Sequence, residues 1–181
     1  MKILIIIPAK LDSKRLAKKN IQKINGKTLV EHSVDYAKEC SYNTNIIISS
    51  ESEILKEIAQ KNNVNFQKRN KSLCGDAEVV DVYINIVKNI DQKFDYVVAL
   101  QPDHPDREHS LDYCLNYMIE NNYDDLITIE PNFKRSGSVR IFKYNFLINE
   151  NVSKRIGCLK DSATDIHYVE DLNLAKLKMK K

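Results

Sequence analysis

The first residues that could carry chemistry form a basic stretch at residues 8–20, which reads Pro-Ala-Lys-Leu-Asp-Ser-Lys-Arg-Leu-Ala-Lys-Lys-Asn. It places five cationic side chains within thirteen residues, among them Lys10, Lys14 and Lys19. Lysine and arginine bind phosphate oxygens and neutralise the charge that develops on a leaving pyrophosphate. Ser13 and the loop amides can add hydrogen bonds. A solvated basic loop is the alternative, but the position directly after a buried strand favours a phosphate site.

A second group follows a later apolar run, at residues 100–109, which read Leu-Gln-Pro-Asp-His-Pro-Asp-Arg-Glu-His. Asp103 and Asp106 offer the hard oxygen ligands that Mg²⁺ prefers. His104 and His109 would suit softer transition metals. The structural alternative is a polar loop in which aspartate and proline only turn the chain.

A third group lies near the end of the chain. Asp165 and His167 alternate along an extended stretch, so their side chains point the same way. If the loops converge, both can share one ion with Asp103. The sequence therefore predicts a metal site built from Asp103, Asp165 and His167, and we expect Mg²⁺ or Mn²⁺ there.

Strand-like and helical segments alternate along the chain, which predicts an α/β fold with a parallel sheet covered by helices. The run at residues 2–7 is rich in isoleucine, as is typical of a strand buried on both faces. The predicted strands are residues 2–7, 45–49, 64–67, 96–100, 125–129 and 139–144, and the predicted helices are residues 28–40, 52–62, 77–89, 111–121 and 169–178. Asp76 is the expected N-cap of the third helix. Sites in such folds lie where strands end.

Length and composition limit the function classes. A chain of 181 residues, 43% of them hydrophobic, fits one domain over residues 1–181. The net charge of +3 is too small to argue for nucleic-acid or membrane binding. No apolar run near the start approaches the ~20 residues that cross a bilayer. A compact anionic substrate remains compatible with this charge.

Two further patterns exclude common classes of site. The cysteines form no CxxC pair, which argues against zinc and redox motifs and for a reduced, cytoplasmic protein. The sequence also has no GxGxxG and no GxxxxGK[ST] motif, so dehydrogenases and P-loop kinases are disfavoured.

Taken in order, these motifs resemble the cytidylyltransferase family that includes the CMP-sialic acid and CMP-Kdo synthetases. The family pattern Pro-Ala-Arg-x-x-Ser-Lys-x-x-x-x-Lys-Asn is matched by Pro8, Ala9, Ser13, Lys14, Lys19 and Asn20. Further similar stretches follow at residues 26–33, 49–54, 69–76, 100–107 and 166–172. The resemblance implies a Rossmann-like, three-layer nucleotidyltransferase fold with a mostly parallel central sheet.

The resemblance also implies a reaction and a set of roles. CTP would activate an acidic sugar or similar small acceptor, giving a CMP-linked product for surface polysaccharide or glycoconjugate synthesis and releasing pyrophosphate. Lys10, Lys14 and Lys19 would be catalytic. The implied nucleotide-binding residues are Ala9, Lys10, Ser13, Asn20, Arg69 and Asp76, and the implied acceptor-binding residues are Gln101 and Arg107. A homodimer is also expected, although the family's dimerisation arm is trimmed in this chain.

Two alternatives stay open. Leu11 and Asp12 replace small residues of the family loop, Ala17 replaces its proline, and His167 replaces a metal aspartate. Because a carboxylate beside a triphosphate is repulsive, a relative that binds nucleotide or sugar without turnover is one alternative. The other is a metal-dependent hydrolase that uses Asp103, His104, Asp106 and His109.

Overall fold

The computed structural model describes residues 1–75 and 77–180, and it contains a seven-stranded sheet with the order β5-β4-β1-β6-β8-β7-β9. The strands are β1 Lys2–Pro8, β2 Lys23–Ile24, β3 Lys27–Thr28, β4 Asn43–Ser50, β5 Asn65–Lys68, β6 Tyr96–Ala99, β7 Asp125–Ile129, β8 Arg135–Lys143 and β9 Ile156–Lys160. The helices are α1 Leu29–Lys38, α2 Glu53–Lys61, α3 Val79–Asn89, α4 Leu111–Glu120, α5 Tyr144–Ile148 and α6 Val169–Lys178. β2 and β3 form a separate hairpin.

Most neighbouring strands of the large sheet are parallel. β1 pairs in parallel with β4 and β6, and β7 with β9. Among the strands of this sheet in residues 1–75 and 77–180, only β8 runs against its neighbours, β6 and β7. The predicted α/β fold with a mostly parallel central sheet is therefore confirmed.

The isoleucine run of β1 is buried on both faces of the sheet. Ile3, Ile5 and Ile7 pack with α1, α2 and α4 on one face. Leu4 and Ile6 pack with α3 and α5 on the other. Because side chains alternate along a strand, a continuous apolar run is what a strand between two helical layers requires.

The structure differs from the prediction at several boundaries. The hairpin β2–β3, the short helix α5 and the strand β9 were not expected, because two to five residues carry too little periodicity. Helix α3 begins at Val79 with Glu78 as its N-cap, two residues later than predicted. Asp76, the expected N-cap, lies outside the described residues.

A third apolar cluster fixes the end of the chain. Leu172 and Ala175 of α6 pack with Ile166 against Ile24 and Leu29. The Ile166 amide also donates to the Asp103 carbonyl at 3.0 Å. The segment before α6 is thereby held against the loop that follows β6. Within residues 1–75 and 77–180, no helix is long and apolar enough to cross a membrane.

Candidate functional site

A cleft of about 340 Å³ opens where β1 and β6 end. Its walls come from the basic stretch at residues 8–20, from residues 69–75 and 77–82, from the loop after β6 and from His167. The described residues that line it include five cationic side chains, from Lys10, Lys14, Arg15, Lys19 and Arg69, and a single carboxylate, from Asp103. A cleft with this excess of positive charge attracts a compact polyanion.

The loop after β1 is held mainly through its backbone. The Asn20 side chain, which is buried, donates from Nδ2 to the Lys10 carbonyl at 2.8 Å. The Leu11 amide donates to Glu51 Oε1 at 3.3 Å. Lys10 Nζ reaches across the cleft to the Gly75 carbonyl at 3.0 Å. These contacts fix the path of the loop while the side chains of Lys14 and Arg15 stay exposed.

Lys19 connects the basic loop to the rest of the site. Its Nζ lies 2.6 Å from Asp103 Oδ2 and 2.9 Å from the Ile166 carbonyl oxygen. Both charged side chains are largely buried, with 13% and 14% of their surface exposed. Lys19 begins a short 3-10 helix that follows Lys18, whose φ of 51° turns the chain inward. The ammonium group therefore joins three segments that are distant in the sequence.

Asp103 is held as a carboxylate. Burial by itself would raise the pKa of Asp103, but the hydrogen bond and charge of His104, together with the charge of Lys19, outweigh it and hold this pKa well below its usual range. Oδ1 lies 3.1 Å from His104 Nδ1. Asp103 thus presents a fixed negative charge at the floor of a cationic cleft.

A group of potential metal ligands surrounds Asp103. Asp103, His104 and Asp165 have ligand atoms within 4.8 Å of one another, and among the described residues they are the one group of three that could hold a metal ion in this way. His104 Nε2 lies 3.8 Å from Asp165 Oδ1. Two carboxylates and an imidazole form a donor set that fits a divalent ion.

The structure changes one member of the expected ligand set. Asp103 and Asp165 come together as expected, but the third member of the group is His104. His167 instead contacts Asp165, with its Nε2 3.0 Å from Oδ2. Residues two apart on an extended segment are neighbours, and here that proximity pairs His167 with Asp165.

Gln101 lines the cleft through a close approach to β8. Its amide donates to the Gly137 carbonyl at 3.3 Å. Its side chain lies over Gly137, where a Cβ would come within 2.5 Å of the Gln101 Cδ. Only glycine at position 137 leaves space for this side-chain position.

Arg107 is not among the residues that line the cleft, and its acceptor-binding role stays a prediction. Its Nε donates to the Ser138 carbonyl at 3.0 Å, and one terminal nitrogen donates to the Gln101 carbonyl at 2.8 Å. The guanidinium group also stacks over the Tyr36 ring at 4.9 Å. Arg107 therefore holds the loop after β6 against α1 and β8.

The other predicted residues divide into three groups. Ser13, Asn20 and Arg69 line the cleft, and their nucleotide-binding roles stay predictions. Ala9 does not line it: it is 1% exposed and its amide is bound to the Ser49 carbonyl. Asp76 lies outside the described residues, so its predicted role remains a prediction.

Asp12 does not face the cleft. Its side chain is exposed, and it is not among the residues that line the cavity. Leu11 packs against the hydrophobic core. Neither departure from the family loop therefore obstructs the cationic surface.

The four residues of the hydrolase alternative do not converge. Asp106 accepts two hydrogen bonds of 2.7 Å from Thr164, which use both of its oxygens. His109 lies 2.8 Å from the Lys160 carbonyl oxygen and stacks on Tyr113. Only the first two residues of that set, Asp103 and His104, belong to the ligand group at the cleft.

Sequence reasoning missed several residues that line the cleft. Arg15 belongs to the basic stretch and could have been chosen by its charge. Leu73, Val79 and Val82 form an apolar wall, but valines at the start of a helix look like ordinary core residues. Their position beside Lys10 and Arg69 depends on how α3 packs.

Residues 4–171 match a family model described as cytidylyltransferase. The chain is 32% identical over 113 residues to the CMP-N,N'-diacetyllegionaminic acid synthase of Legionella pneumophila, covering 60% of this chain and 49% of that protein. It is 25% identical over 142 residues to the 3-deoxy-manno-octulosonate cytidylyltransferase of Bartonella tribocorum, covering 75% of this chain and 57% of that protein. The chain thus spans about half the length of such relatives.

Solved structures give the same fold. A CMP:2-keto-3-deoxy-manno-octonic acid synthetase complexed with CTP superposes with a TM-score of 0.77 at 13% identity, covering 99% of this chain and 98% of that one. A cytidylyltransferase from Leptospira borgpetersenii gives 0.73 at 19% identity, covering 97% and 85%. At these identities the likeness shows the fold alone.

Proposed function

Because the chain belongs to the cytidylyltransferase family, we propose that it transfers the cytidine monophosphate unit of CTP to an acidic sugar or a similar small acceptor. The observation that carries this proposal is the cleft after β1 and β6, where the described residues supply five cationic side chains and one carboxylate. A triphosphate supplies the matching negative charge. The relatives described above are named for sugar-acid products or acceptors, which supports the same acceptor class.

In the proposed reaction, an acceptor oxygen attacks the α-phosphorus of CTP. A new oxygen–phosphorus bond forms, the bond from the α-phosphorus to the bridging oxygen breaks, and pyrophosphate leaves. Lys10, Lys14 and Lys19 stabilise the negative charge that accumulates on the leaving group. An ammonium group has three N–H donors, and Asp103 and Ile166 use two of those on Lys19. The third can reach a phosphate oxygen.

The remaining cleft residues orient the nucleotide and the acceptor. Ser13, Asn20 and Arg69 line the cleft and carry hydrogen-bonding groups for the nucleotide. Asn20 Oδ1 is buried without a hydrogen-bond partner among the described residues, so a ligand donor would satisfy it. Gln101 presents its amide from the opposite wall and is assigned to the acceptor. Such positioning lowers the barrier because it removes the entropy cost of aligning the reactants.

A divalent ion, Mg²⁺ or Mn²⁺, fits the group at Asp103 and Asp165, where it would neutralise charge on the α-phosphate. The fit rests on two carboxylates, from Asp103 and Asp165, that lie close together beside the buried imidazole of His104. Lys19 keeps Asp103 oriented, and His167 does the same for Asp165.

A non-catalytic relative is the competing proposal. Three departures from the family pattern favour it, at Leu11, Asp12 and His167. Leu11 packs against the hydrophobic core, Asp12 does not face the cleft, and His167 contacts Asp165. The geometry therefore supports turnover. We further propose a cytoplasmic enzyme that supplies polysaccharide or glycoconjugate synthesis, because a CMP-linked sugar is an activated donor. A homodimer remains a prediction.

The first test is the shift in melting temperature with each of ATP, CTP, GTP and UTP, with and without Mg²⁺ or Mn²⁺. A ligand at one hundred times its dissociation constant adds about 2.7 kcal/mol to stability. We expect the largest, metal-dependent shift with CTP, followed by pyrophosphate release when sugar acids are added. Binding of CTP without pyrophosphate release from any sugar acid would favour the non-catalytic relative, and no shift with any nucleotide would contradict the proposal.

A further inference from the structure

The segment at residues 161–167 contributes to the cleft but belongs to no helix or strand. The Ile166 carbonyl oxygen lies 2.9 Å from Lys19 Nζ, and His167 lines the cleft. Thr164 and Ile166 are both buried. Because the segment lies outside the helices and strands, its path depends on the contacts of these buried residues.

Asp106 binds this segment with both of its carboxylate oxygens. Oδ1 accepts a hydrogen bond of 2.7 Å from the Thr164 amide, and Oδ2 accepts one of 2.7 Å from the Thr164 hydroxyl group. Lys178 Nζ lies 3.4 Å from Oδ2, and the Asp106 side chain is 8% exposed. Hydrogen bonds to an ionised carboxylate are stronger than those between neutral groups. The backbone is therefore held two residues before the carbonyl group that binds Lys19.

The loop that carries Asp106 is fixed by separate contacts. Arg107, the next residue, donates to two main-chain carbonyl groups. The Ile166 amide donates to the Asp103 carbonyl of the same loop at 3.0 Å. The loop after β6 therefore holds the end segment on both sides of Asp165, and Asp106 supplies the side chain for one of these contacts.

From this geometry we infer that Asp106 is a positioning residue for the transfer reaction, which acts through Thr164 and the Ile166 carbonyl to hold the Lys19 ammonium group toward the leaving pyrophosphate. The inference rests on the proposed function and adds a residue to it. Among the described residues that line the cleft, Asp106 is absent. Substitution of Asp106 should therefore affect the reaction through the position of Lys19, which would keep Asp103 as a partner but lose a fixed carbonyl.

Glu108 makes a similar contact farther from the cleft. Its Oε2 accepts hydrogen bonds from the Ser162 amide at 3.1 Å and from the Ser162 hydroxyl group at 3.0 Å. Thr164 offers the same two kinds of donor to Asp106. Ser162 lies four residues before Ile166, and Glu108 is exposed. A contact that only stabilises the segment would respond alike at both positions, so Glu108 is the matched control.

The first experiment compares kcat for pyrophosphate release, at saturating CTP and sugar acid, with the free energy of unfolding in urea. Asp106→Ala should lower kcat about tenfold, because a small displacement of a charged group reduces the rate strongly, with a smaller change in KM for CTP. Glu108→Ala should leave kcat unchanged. Asp106→Asn keeps an oxygen for the Thr164 amide and an N–H for its hydroxyl oxygen, so it should restore most of kcat.

A double substitution shows whether Asp106 acts through Lys19. In the Lys19→Ala background, Asp106→Ala should lower kcat no further, because the group that Asp106 positions is already absent. A second loss of about tenfold in that background would overturn the inference. Full kcat in Asp106→Ala alone, or an equal loss of kcat in Glu108→Ala, would also overturn it.

Chemical labelling tests the contact without turnover and covers the case in which Asp106→Ala does not fold. Acetic anhydride reacts with the nucleotide-free protein, and mass spectrometry compares the labelling of Lys19 with that of Lys23, which is exposed on the hairpin. Thr164→Val removes only the hydroxyl group and should, like Asp106→Ala, raise the relative labelling of Lys19.

Glu108→Ala should leave the labelling of Lys19 unchanged. Unchanged labelling of Lys19 in Thr164→Val and Asp106→Ala would count against the inference. Absence of pyrophosphate release from the unmodified protein would instead count against the proposed function, and the labelling would still show whether Asp106 holds Lys19 in place.

Discussion

The loops after β1 and β6 leave neighbouring parallel strands and face the same cleft, but they are held in different ways. In the first loop the Arg15 side chain is exposed. In the second, Asp103, His104 and Arg107 each contact protein groups at hydrogen-bond distance. Long flexible cations can adjust to a polyphosphate after it arrives, whereas metal ligands must be placed in advance. The loop after β1 contributes positive charge for a polyphosphate, and the loop after β6 contributes side chains that are held in fixed positions.

Lys19 is the exception in the first loop, because its side chain is held by protein contacts, as the side chains of the second loop are. Lys19→Ala would remove the ion pair to Asp103 and a phosphate contact together. We expect CTP turnover to fall about a hundredfold or more, which is typical when a charged contact to a transition state is lost. Pyrophosphate release measures the effect. Lys23→Ala, in the hairpin outside the cleft, serves as the control, and full turnover in Lys19→Ala would remove Lys19 from the mechanism.

Substitution of one arginine in each loop compares how much the two loops contribute to stability. Arg107→Met would remove the guanidinium group that donates to the carbonyls of Gln101 and Ser138. We expect the free energy of unfolding in urea to fall by about 3 kcal/mol. Arg15→Met, on the exposed loop, should change it by less than about 0.5 kcal/mol. Equal losses in both variants would show that the two loops are held alike.

A substitution at Gly137 tests whether activity depends on the precise position of the Gln101 side chain. Gly137→Ala would put a Cβ 2.5 Å from the Gln101 Cδ and push that side chain into the cleft. We expect kcat/KM for the acceptor to fall about tenfold, because small displacements of positioning groups reduce rates strongly. Gly157→Ala is the matched control, since it would crowd Tyr123, away from the cleft. It should lower stability with little effect on KM, and an unchanged kcat/KM in Gly137→Ala would contradict the role of Gln101.

A change outside both loops gives the smallest expected effect. Glu31 is buried at the start of α1, where burial alone would raise its pKa, but hydrogen bonds from Thr28 and Lys61 outweigh burial and lower it to about 2. Because the folded-state pKa is depressed, the stabilisation is complete above about pH 4.5, the ordinary value, and is lost as pH falls towards 2.

Glu31→Gln should therefore lower stability at pH 7 by about 1 kcal/mol, as expected for a lost capping interaction. Urea unfolding from pH 7 to pH 3 measures the effect, and the difference from the unmodified protein should shrink as the pH falls. CTP affinity at pH 7 should stay the same. A difference that is constant with pH would show that the ionised carboxylate of Glu31 is not what stabilises the helix start.

Much of the fold followed from local patterns. The isoleucine run of β1 and the apolar periodicity of the longer helices predicted the layers, and Thr28 with Glu31 forms a capping box that such spacing can produce. The antiparallel direction of β8 could not be predicted from the sequence, because apolar residues alternate in the same way in parallel and antiparallel strands. The start of α3 was predicted two residues too early, because the apolar periodicity of a helix does not determine which residue begins its first turn.

For this protein the sequence by itself determined the residue types of the site and their order along the chain. The cations of residues 8–20, the carboxylate of Asp103 and the pair Asp165 and His167 were visible as charge and spacing. The tertiary structure decided which of them meet. Asp103 and Asp165 are 62 residues apart, and they converge because α6 and Ile166 pack on the β2–β3 hairpin. Other contacts placed His104 in the ligand group and turned Arg107 toward Ser138, Gln101 and Tyr36, because the direction of a side chain depends on tertiary contacts that no local pattern contains.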